Sequence, residues 1–554
     1  MKAHRLISGA ALCCLSSFTG STFGQTTCPG LAAVDFESGE APAKIISSTM
    51  VTVPPSGLAL VGTQIIYPFA VSQYCRVTGY VAPQNHFEIR LPDPGAWNGK
   101  MHFVACQGFC GTVNGEFDNA GLSQGYAAVT ANGGHFSAPG FDGLWAANSP
   151  QLQKDFGYTG NHVVTVAAKK IVAAYYGSAP RRSYMAGCSK GGQAVLEEAL
   201  RYPDEYDGIL PFAPVYDYTG KGVIHASWVA QANRDAGDAN IIDDATVDLI
   251  HDSVVAACDA LDGAVDGVVG DPLACRWRPS DLACSPARPN ACLSSAQVRA
   301  LTQLYTPPTN RFGQLLFPTG NTLGSENAEW KAWVNNHLPA RSFNYTVAQQ
   351  SMAFLEFAQW PQDILSSDPY SFDFNRDPDK LQRGRNLYDA TSVDLRAFAA
   401  HGGKVLWQHG WADASIPAKS SVHYYLRTVQ RFGLPYTNSF MKLYLLPGVT
   451  HCGGGDGSDH SDALAALDNW VERGQAPDRI LTYQLSNGSL VRPRPVWPYP
   501  GVARFSGTGS ADDPDAWTAT QPGFGSLYPP AHVVTYENPF PKPHGRSGDD
   551  KDDR

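Results

Sequence analysis

The segment Gly187-Cys188-Ser189-Lys190-Gly191 is where residue types and spacing best suit covalent chemistry. A G-x-S-x-G run between a strand and a helix makes a sharp elbow that exposes the serine hydroxyl. The small flanking residues let strand and helix close around a strained serine backbone. The text on either side predicts that setting, with a strand over Ser183 to Ala186 and a helix over Gln193 to Tyr202. A serine nucleophile needs a base, and the base needs an orienting acid. Downstream, the apolar run Val405-Leu406-Trp407 leads into a loop carrying Asp413, and Leu445-Leu446-Pro447 leads into one carrying His451. His409 and His401 are rival bases, but His409 shares the loop of Asp413 and His401 falls at a helix end. Attack on a carbonyl also needs donors for the developing oxyanion. The backbone N–H of Lys190 is one expected donor. Gly108, in the loop after the Met101–Ala105 strand, is the other, with Phe109 as the alternative.

Cys188 immediately precedes the serine, and Cys452 immediately follows the histidine. A disulfide between them would tie nucleophile to base; two buried free thiols are the alternative. Cys106 and Cys110 have the spacing of one half of a zinc site, but no second pair answers them. A harder metal is suggested by the run from Cys258 to Val268, which carries Asp259, Asp262 and Asp266 with two turn glycines. Oxygen ligands along a tight loop suit calcium, and the carbonyls of Ala264 and Val268 could complete the shell. Lying far from the serine in sequence, this loop is expected to be structural.

These side chains need a scaffold, and the order of elements indicates which one. From Gln25 to about Pro214, short β-rich runs alternate with helical stretches such as His162 to Tyr176, which means a mostly parallel sheet with helices on both faces. Together with the Ser-Asp-His order, this is the pattern of an α/β-hydrolase core. The rhythm is lost between about Val215 and Asp389, read as an inserted lid domain (215–389), and returns for the rest of the core (390–500). A C-terminal extension (501–554), rich in proline and turns, ends in a charged tail expected to be disordered. Lys2, His4 and Arg5 followed by the apolar run Leu6 to Phe18 read as a signal peptide (1–24) cut before Gln25. Of twelve cysteines, Cys13 and Cys14 fall in that leader, leaving an even set in a chain expected to be secreted or periplasmic. A net charge of -10 over 554 residues gives no electrostatic case for nucleic acid or a membrane surface as partner. Trp330, Trp333, Phe354 and Trp360 are candidate pocket walls, and the oligomeric state is not legible.

With these residues in view, the chain resembles the tannase and feruloyl esterase family. The resemblance rests on Cys188-Ser189 beside a Gly-Gly pair, the Asp413 loop and His451-Cys452-Gly453-Gly454-Gly455. It extends to Asp155-Phe156-Gly157-Tyr158 with His162, Tyr206-Asp207-Gly208, and Trp470 to Gly474. It implies an α/β-hydrolase fold, hydrolysis of a small aromatic ester, and a Ser189–Asp413–His451 triad. It also implies a calcium ion held by Asp259, Asp262, Ala264, Asp266 and Val268 in the lid. Further pairs it implies are Cys28–Cys75, Cys258–Cys275 and Cys284–Cys292, with Cys106–Cys110 as an additional pair around the oxyanion loop. The text is particularly similar to a bacterial branch that includes a hydrolase of terephthalate half-esters. Asn344 stands near the place of that branch's carboxylate-binding arginine, and Trp497 near the first of its C-terminal cysteine pair.

Overall fold

The computed structural model describes residues 25–59, 62–65, 71–357 and 367–520. The leader, the charged tail and Trp360 lie outside the described residues. Nine strands form the main sheet: β1 (Ala43–Thr52), β2 (Gln73–Val81), β3 (Asn85–Pro92), β4 (Lys100–Val104), β5 (Ala127–Ala131), β6 (Arg182–Cys188), β7 (Gly208–Phe212), β8 (Lys404–Gly410) and β9 (Met441–Leu446). Their spatial order is β1-β2-β3-β5-β4-β6-β7-β8-β9. The first three pair antiparallel and β3 joins β5 antiparallel. From β5 to β9 every pairing is parallel.

The central strands are buried on both faces, so they read as near-continuous apolar text, and alternate residues feed two different cores. On β6, Met185 packs with the helices Gly160–Tyr176 and Lys190–Arg201 through Val164, Ala168, Val195 and Leu196. Its neighbours Tyr184 and Ala186 point the other way, toward Leu464, Leu467 and Trp470 of the helix Ala463–Arg473. On β8, Val405 and Trp407 join the first core and Leu406 the second. The predicted elements lie where expected to within a few residues, and the nucleophile-side helix begins earlier, at Lys190.

Among the described residues, no strand of this sheet falls between β7 and β8. That insert has its own core, in which Val247, Ile250 and Val254 of the helix Asp244–Cys258 meet Leu301, Leu304, Trp330 and Trp333. Beyond Leu490, read from sequence as turns, the chain instead forms paired strands. Ile480–Ser486 pairs with Ser489–Val496, and Val502–Phe505 with Trp517–Thr520. Pro493 and Pro495 lie within the Ser489–Val496 strand, which explains why composition hid it. Among the described residues, no helix is long and apolar enough to cross a membrane.

Candidate active site

Parallel strands bring the loops at their carboxyl ends to one edge, where open α/β sheets place their sites. Gly108 follows β4, Ser189 follows β6, Asp413 follows β8 and His451 follows β9, so all four converge on that edge. At the elbow, Ser189 takes φ 60° and ψ -120°, a conformation that strains a residue with a Cβ. Backbone bonds hold it there: the Ser189 N–H donates to the Phe212 carbonyl (3.0 Å), and its carbonyl accepts from Gln193 and Val215 (3.1 Å each). A Cβ on Gly187 would stand 2.4 Å from Gly191, and one on Gly191 would stand 2.9 Å from the carbonyls of Ala105 and Cys106. Those approaches are the reason for the two glycines.

Asp413 is fully buried, and its Oδ1 accepts the backbone N–H groups of Ser415 (2.8 Å) and Ile416 (2.7 Å). Its Oδ2 lies 2.9 Å from Nδ1 of His451, which fixes the proton on Nδ1 and leaves Nε2 as the basic nitrogen. Burial by itself would raise the Asp413 pKa, but His451 and His409 reverse this and hold it below the usual carboxylate range. Burial likewise opposes charge on His451, yet the Asp413 carboxylate outweighs it and leaves the imidazole pKa above 6.5.

His409 does not compete as base. It lies on β8, not in the acid's loop as read from sequence, and it is wholly buried. Trp407 Nε1 donates to Ser421 Oγ (3.0 Å), Ser421 Oγ lies 2.6 Å from His409 Nδ1, and His409 Nε2 reaches Ile416 O (2.9 Å) and Asp413 Oδ2 (3.2 Å). His409 therefore positions the acid. His401 caps the helix Arg396–Ala400, away from the carboxyl ends of the strands.

What joins the strand before Ser189 to the loop of His451 is covalent. Cys188 and Cys452 are paired with Cα atoms 5.7 Å apart. The other eight cysteines of the described chain pair as 28–75, 106–110, 258–275 and 284–292. The 106–110 bridge closes the loop carrying Gly108, whose φ of 61° suits glycine. The Phe109 amide is committed to the Gly140 carbonyl (3.1 Å), which removes it as the alternative oxyanion donor. His135 Nε2 holds the Phe109 carbonyl (2.8 Å) while its ring stacks on Trp145 at 3.5 Å. Lys190 is the first residue of its helix, where backbone N–H groups have no intrahelical partner. Its side chain is buried, with Nζ 4.4 Å from the Phe156 ring centre, and burial pulls its pKa down to about 7.

Three sets of contacts link the insert to this edge of the sheet. Glu329, which precedes the short helix Trp330–Trp333, accepts the His451 backbone N–H at 3.1 and 3.3 Å. Burial, reinforced by the nearby Asp413 charge, pushes the Glu329 pKa up to about 7. Ring edges run from the Gly108 loop to His451: Phe109 meets Phe141 (5.5 Å), Phe141 meets Trp333 (5.9 Å), and Trp333 meets His451 (5.8 Å). Lys221 donates to Asn344 Oδ1 (3.0 Å) and lies 5.7 Å from the Trp333 ring centre; burial lowers its pKa to about 8. No sequence motif marks Glu329 or Lys221. Of the other candidate walls, Trp330 is fully buried in the insert's own core, and Phe354 packs against the 143 backbone.

In the acidic loop, Asp259 accepts the N–H groups of Asp266 (3.1 Å) and Gly267 (3.0 Å), and Asp262 accepts that of Ala264 (2.9 Å). Asp266 Oδ2 faces Arg492 (2.9 Å) and Arg494 (3.0 Å), so the three carboxylates do not all come within 4.8 Å of one another. Asp266 Oδ1 is buried without a hydrogen-bond partner. Burial, with Asp266 and Asp259 adding to it, pushes Asp262 up to about 6. An oxygen-only donor set with an unpartnered buried carboxylate oxygen fits a hard cation.

Residues 70–519 match the model of the tannase and feruloyl esterase family. The chain belongs to that family. It is 31% identical to mono(2-hydroxyethyl) terephthalate hydrolase of Piscinibacter sakaiensis, over 83% of this chain and 86% of that one. It is 30% identical to a probable feruloyl esterase B-2 of Aspergillus flavus, over 73% and 79% of the two chains. Feruloyl esterase B from Aspergillus oryzae shares the fold with a TM-score of 0.72 at 24% identity, covering 86% of this chain and 97% of that one. Tannin acyl hydrolase from Aspergillus niger does so with 0.73 at 19% identity, covering 89% and 94%. The protein is thus a carboxylic-ester hydrolase with an α/β-hydrolase fold.

Proposed function

We propose that the protein is a secreted serine esterase of aromatic esters that works through Ser189, His451 and Asp413. The observation that carries this reading is the Asp413–His451 hydrogen bond, held beside Ser189 by the Cys188–Cys452 bridge. His451 Nε2 takes the Ser189 proton as the hydroxyl attacks the ester carbonyl, and Asp413 favours the imidazolium that forms. The backbone N–H groups of Lys190 and Gly108 donate to the oxyanion. His451 then protonates the leaving alcohol, and water releases the acid from the acyl-enzyme. The aromatic edges from Phe109 to His451 suit a flat acyl group. Ten paired cysteines support export.

A calcium ion would be held by carboxylates of Asp259, Asp262 and Asp266 with the carbonyls of Ala264 and Val268. When bound it supplies charge neutralisation and bracing of the lid, and no step of the reaction uses it. One experiment tests the core reading. Ser189→Ala should abolish hydrolysis of methyl ferulate, methyl gallate and ethyl benzoate, along with fluorophosphonate labelling, while the circular dichroism stays unchanged. Retained turnover would refute it.

Lys221 favours a second substrate reading. Although Asn344 cannot carry charge, Lys221 bound to it puts a cation among the aromatic walls. An acyl ring bearing a free carboxylate, as in a terephthalate half-ester, would pair with it. Lys221→Met should then raise KM for the half-ester more than for the corresponding methyl diester.

A further inference from the structure

On the face of the sheet covered by the helices Gly160–Tyr176 and Lys190–Arg201, three ligand-type side chains converge that the esterase reaction does not use. His162 comes from the first turn of one helix, Glu198 from the last turn of the other, and Glu205 from the turn leading to β7. One ligand atom from each lies within 4.8 Å of the other two; among the described residues they are the group of His, Cys, Asp or Glu that meets this criterion. Glu198 Oε2 and Glu205 Oε2 are buried without a hydrogen-bond partner, and His162 Nδ1 lies 3.2 Å from the other carboxylate oxygen of Glu205, Oε1. Glu198 is only 1% exposed.

Two buried carboxylates within reach of each other repel unless a proton or a cation lies between them. Arg201, paired with Glu197 at 2.5 Å, and Lys169, whose Nζ donates to the Glu205 backbone carbonyl, lie close enough to offset part of that repulsion. The imidazole is set up as a ligand. Its ring stacks on Tyr202 at 3.7 Å and 3°, and Nε2 lies 3.3 Å from Glu40 Oε1. With Glu40 on the far nitrogen to take the ring proton, Nδ1 can present its lone pair to an ion shared with Glu205, the usual support of a metal-bound histidine.

We propose that His162, Glu198 and Glu205 form a second cation site, separate from the lid loop, that takes a zinc-class divalent ion through His162 Nδ1 and one oxygen of each carboxylate. One nitrogen and two oxygens with room for a water suit zinc's four-coordinate shell, whereas calcium wants six to eight oxygens. Tetrahedral bonds of about 2.1 Å put ligand atoms roughly 3.4 Å apart, inside the 4.8 Å within which these atoms lie. The ion would cross-link the far end of the helix that Ser189 begins to the helix before it, and so act on stability and not on the chemical step.

The test uses the full-length protein, stripped with chelator and then held in saturating calcium so that the lid loop is not the reporter. Zinc should bind with 1:1 stoichiometry by calorimetry and raise the thermal midpoint, and cobalt(II) in its place should give visible d–d absorption. His162→Asn and Glu205→Gln should each weaken binding at least tenfold and remove the absorption. Glu198→Gln removes one like charge, so its metal-free midpoint should hold or rise while the zinc shift disappears, a pattern that loss of packing would not produce. No stoichiometric zinc or cobalt binding by the parent, or binding that survives in folded Glu205→Gln and Glu198→Gln, would overturn the proposal. Ester hydrolysis by the same samples reports on the active-site reading independently.

Discussion

Replacing both Cys188 and Cys452 by alanine tests whether the bridge beside the active site serves stability, geometry or both. The bridge closes a loop of 264 residues. The chain-entropy expression, ΔS ≈ -2.1 - 1.5R ln n, then gives about 5.6 kcal/mol at 25 °C. Two other bridges, spanning 17 and 8 residues, lie inside that loop and shorten it, but the dependence is logarithmic and the change is only about 0.1 kcal/mol. Native bridges commonly deliver about 2–5 kcal/mol, so a loss in that range is expected from urea unfolding of the double variant. Cys452 sits at φ 62°, and alanine inherits that strain, which keeps the comparison to the bridge itself. Geometry adds a second effect. His451 adjoins the bridge while its side chain leans on Asp413, so freeing the loop should lower kcat for an activated aryl ester well below the unfolding temperature, with KM little changed. A double variant that unfolds within about 1 kcal/mol of the parent and turns over at the parent's rate would refute both parts of this reasoning.

Three further outcomes are expected. The kcat/KM profile should rise with pH through an inflection above 6.5, because the base works neutral and Asp413 raises its pKa. Asp413→Asn should move that inflection down and cost roughly 10³–10⁴-fold in rate, read from the pH–rate profile. Glu329 has its pKa raised to about 7 from an ordinary 4.5. Between those values the folded state keeps a proton that the unfolded state releases, so stability falls as pH rises through the window. Glu329→Gln should flatten that fall, by roughly 1–3 kcal/mol at most, and lower kcat if the lid carboxylate positions the histidine; urea midpoints at pH 5 and 8 check the first part. Finally, chelation with EGTA should lower the thermal midpoint and calcium should restore it, whereas Asp262→Asn should respond to neither.

Local text singles out Ser189, Asp413 and His451 as candidates because each is announced by a short-range pattern: an apolar strand followed by a turn whose residues the backbone constrains. The elbow glycines are legible for the same reason, since a Cβ at either would collide with atoms a few residues away or on the next strand. The adjacency of Cys188 and Cys452 to the serine and the histidine is likewise a local signal of their pairing. What the sequence alone left open depends on contacts between segments far apart in the chain. Glu329 is placed beneath His451 by a contact spanning 122 residues, and His409, only four residues from Asp413, is held against it by Ser421 and Ile416; no periodicity encodes such bonds. The proline-bearing strand Ser489–Val496 was hidden because composition predicts turns where pairing to Ile480–Ser486 overrides it. Tertiary structure also set the environment of each acid: the same carboxylate chemistry is held low at Asp413 by two imidazoles and pushed up at Glu329 by burial beside another charge. A sequence specifies which groups are present, but pKa and positioning follow from what lies within a few ångströms in space, and only the folded chain decides that.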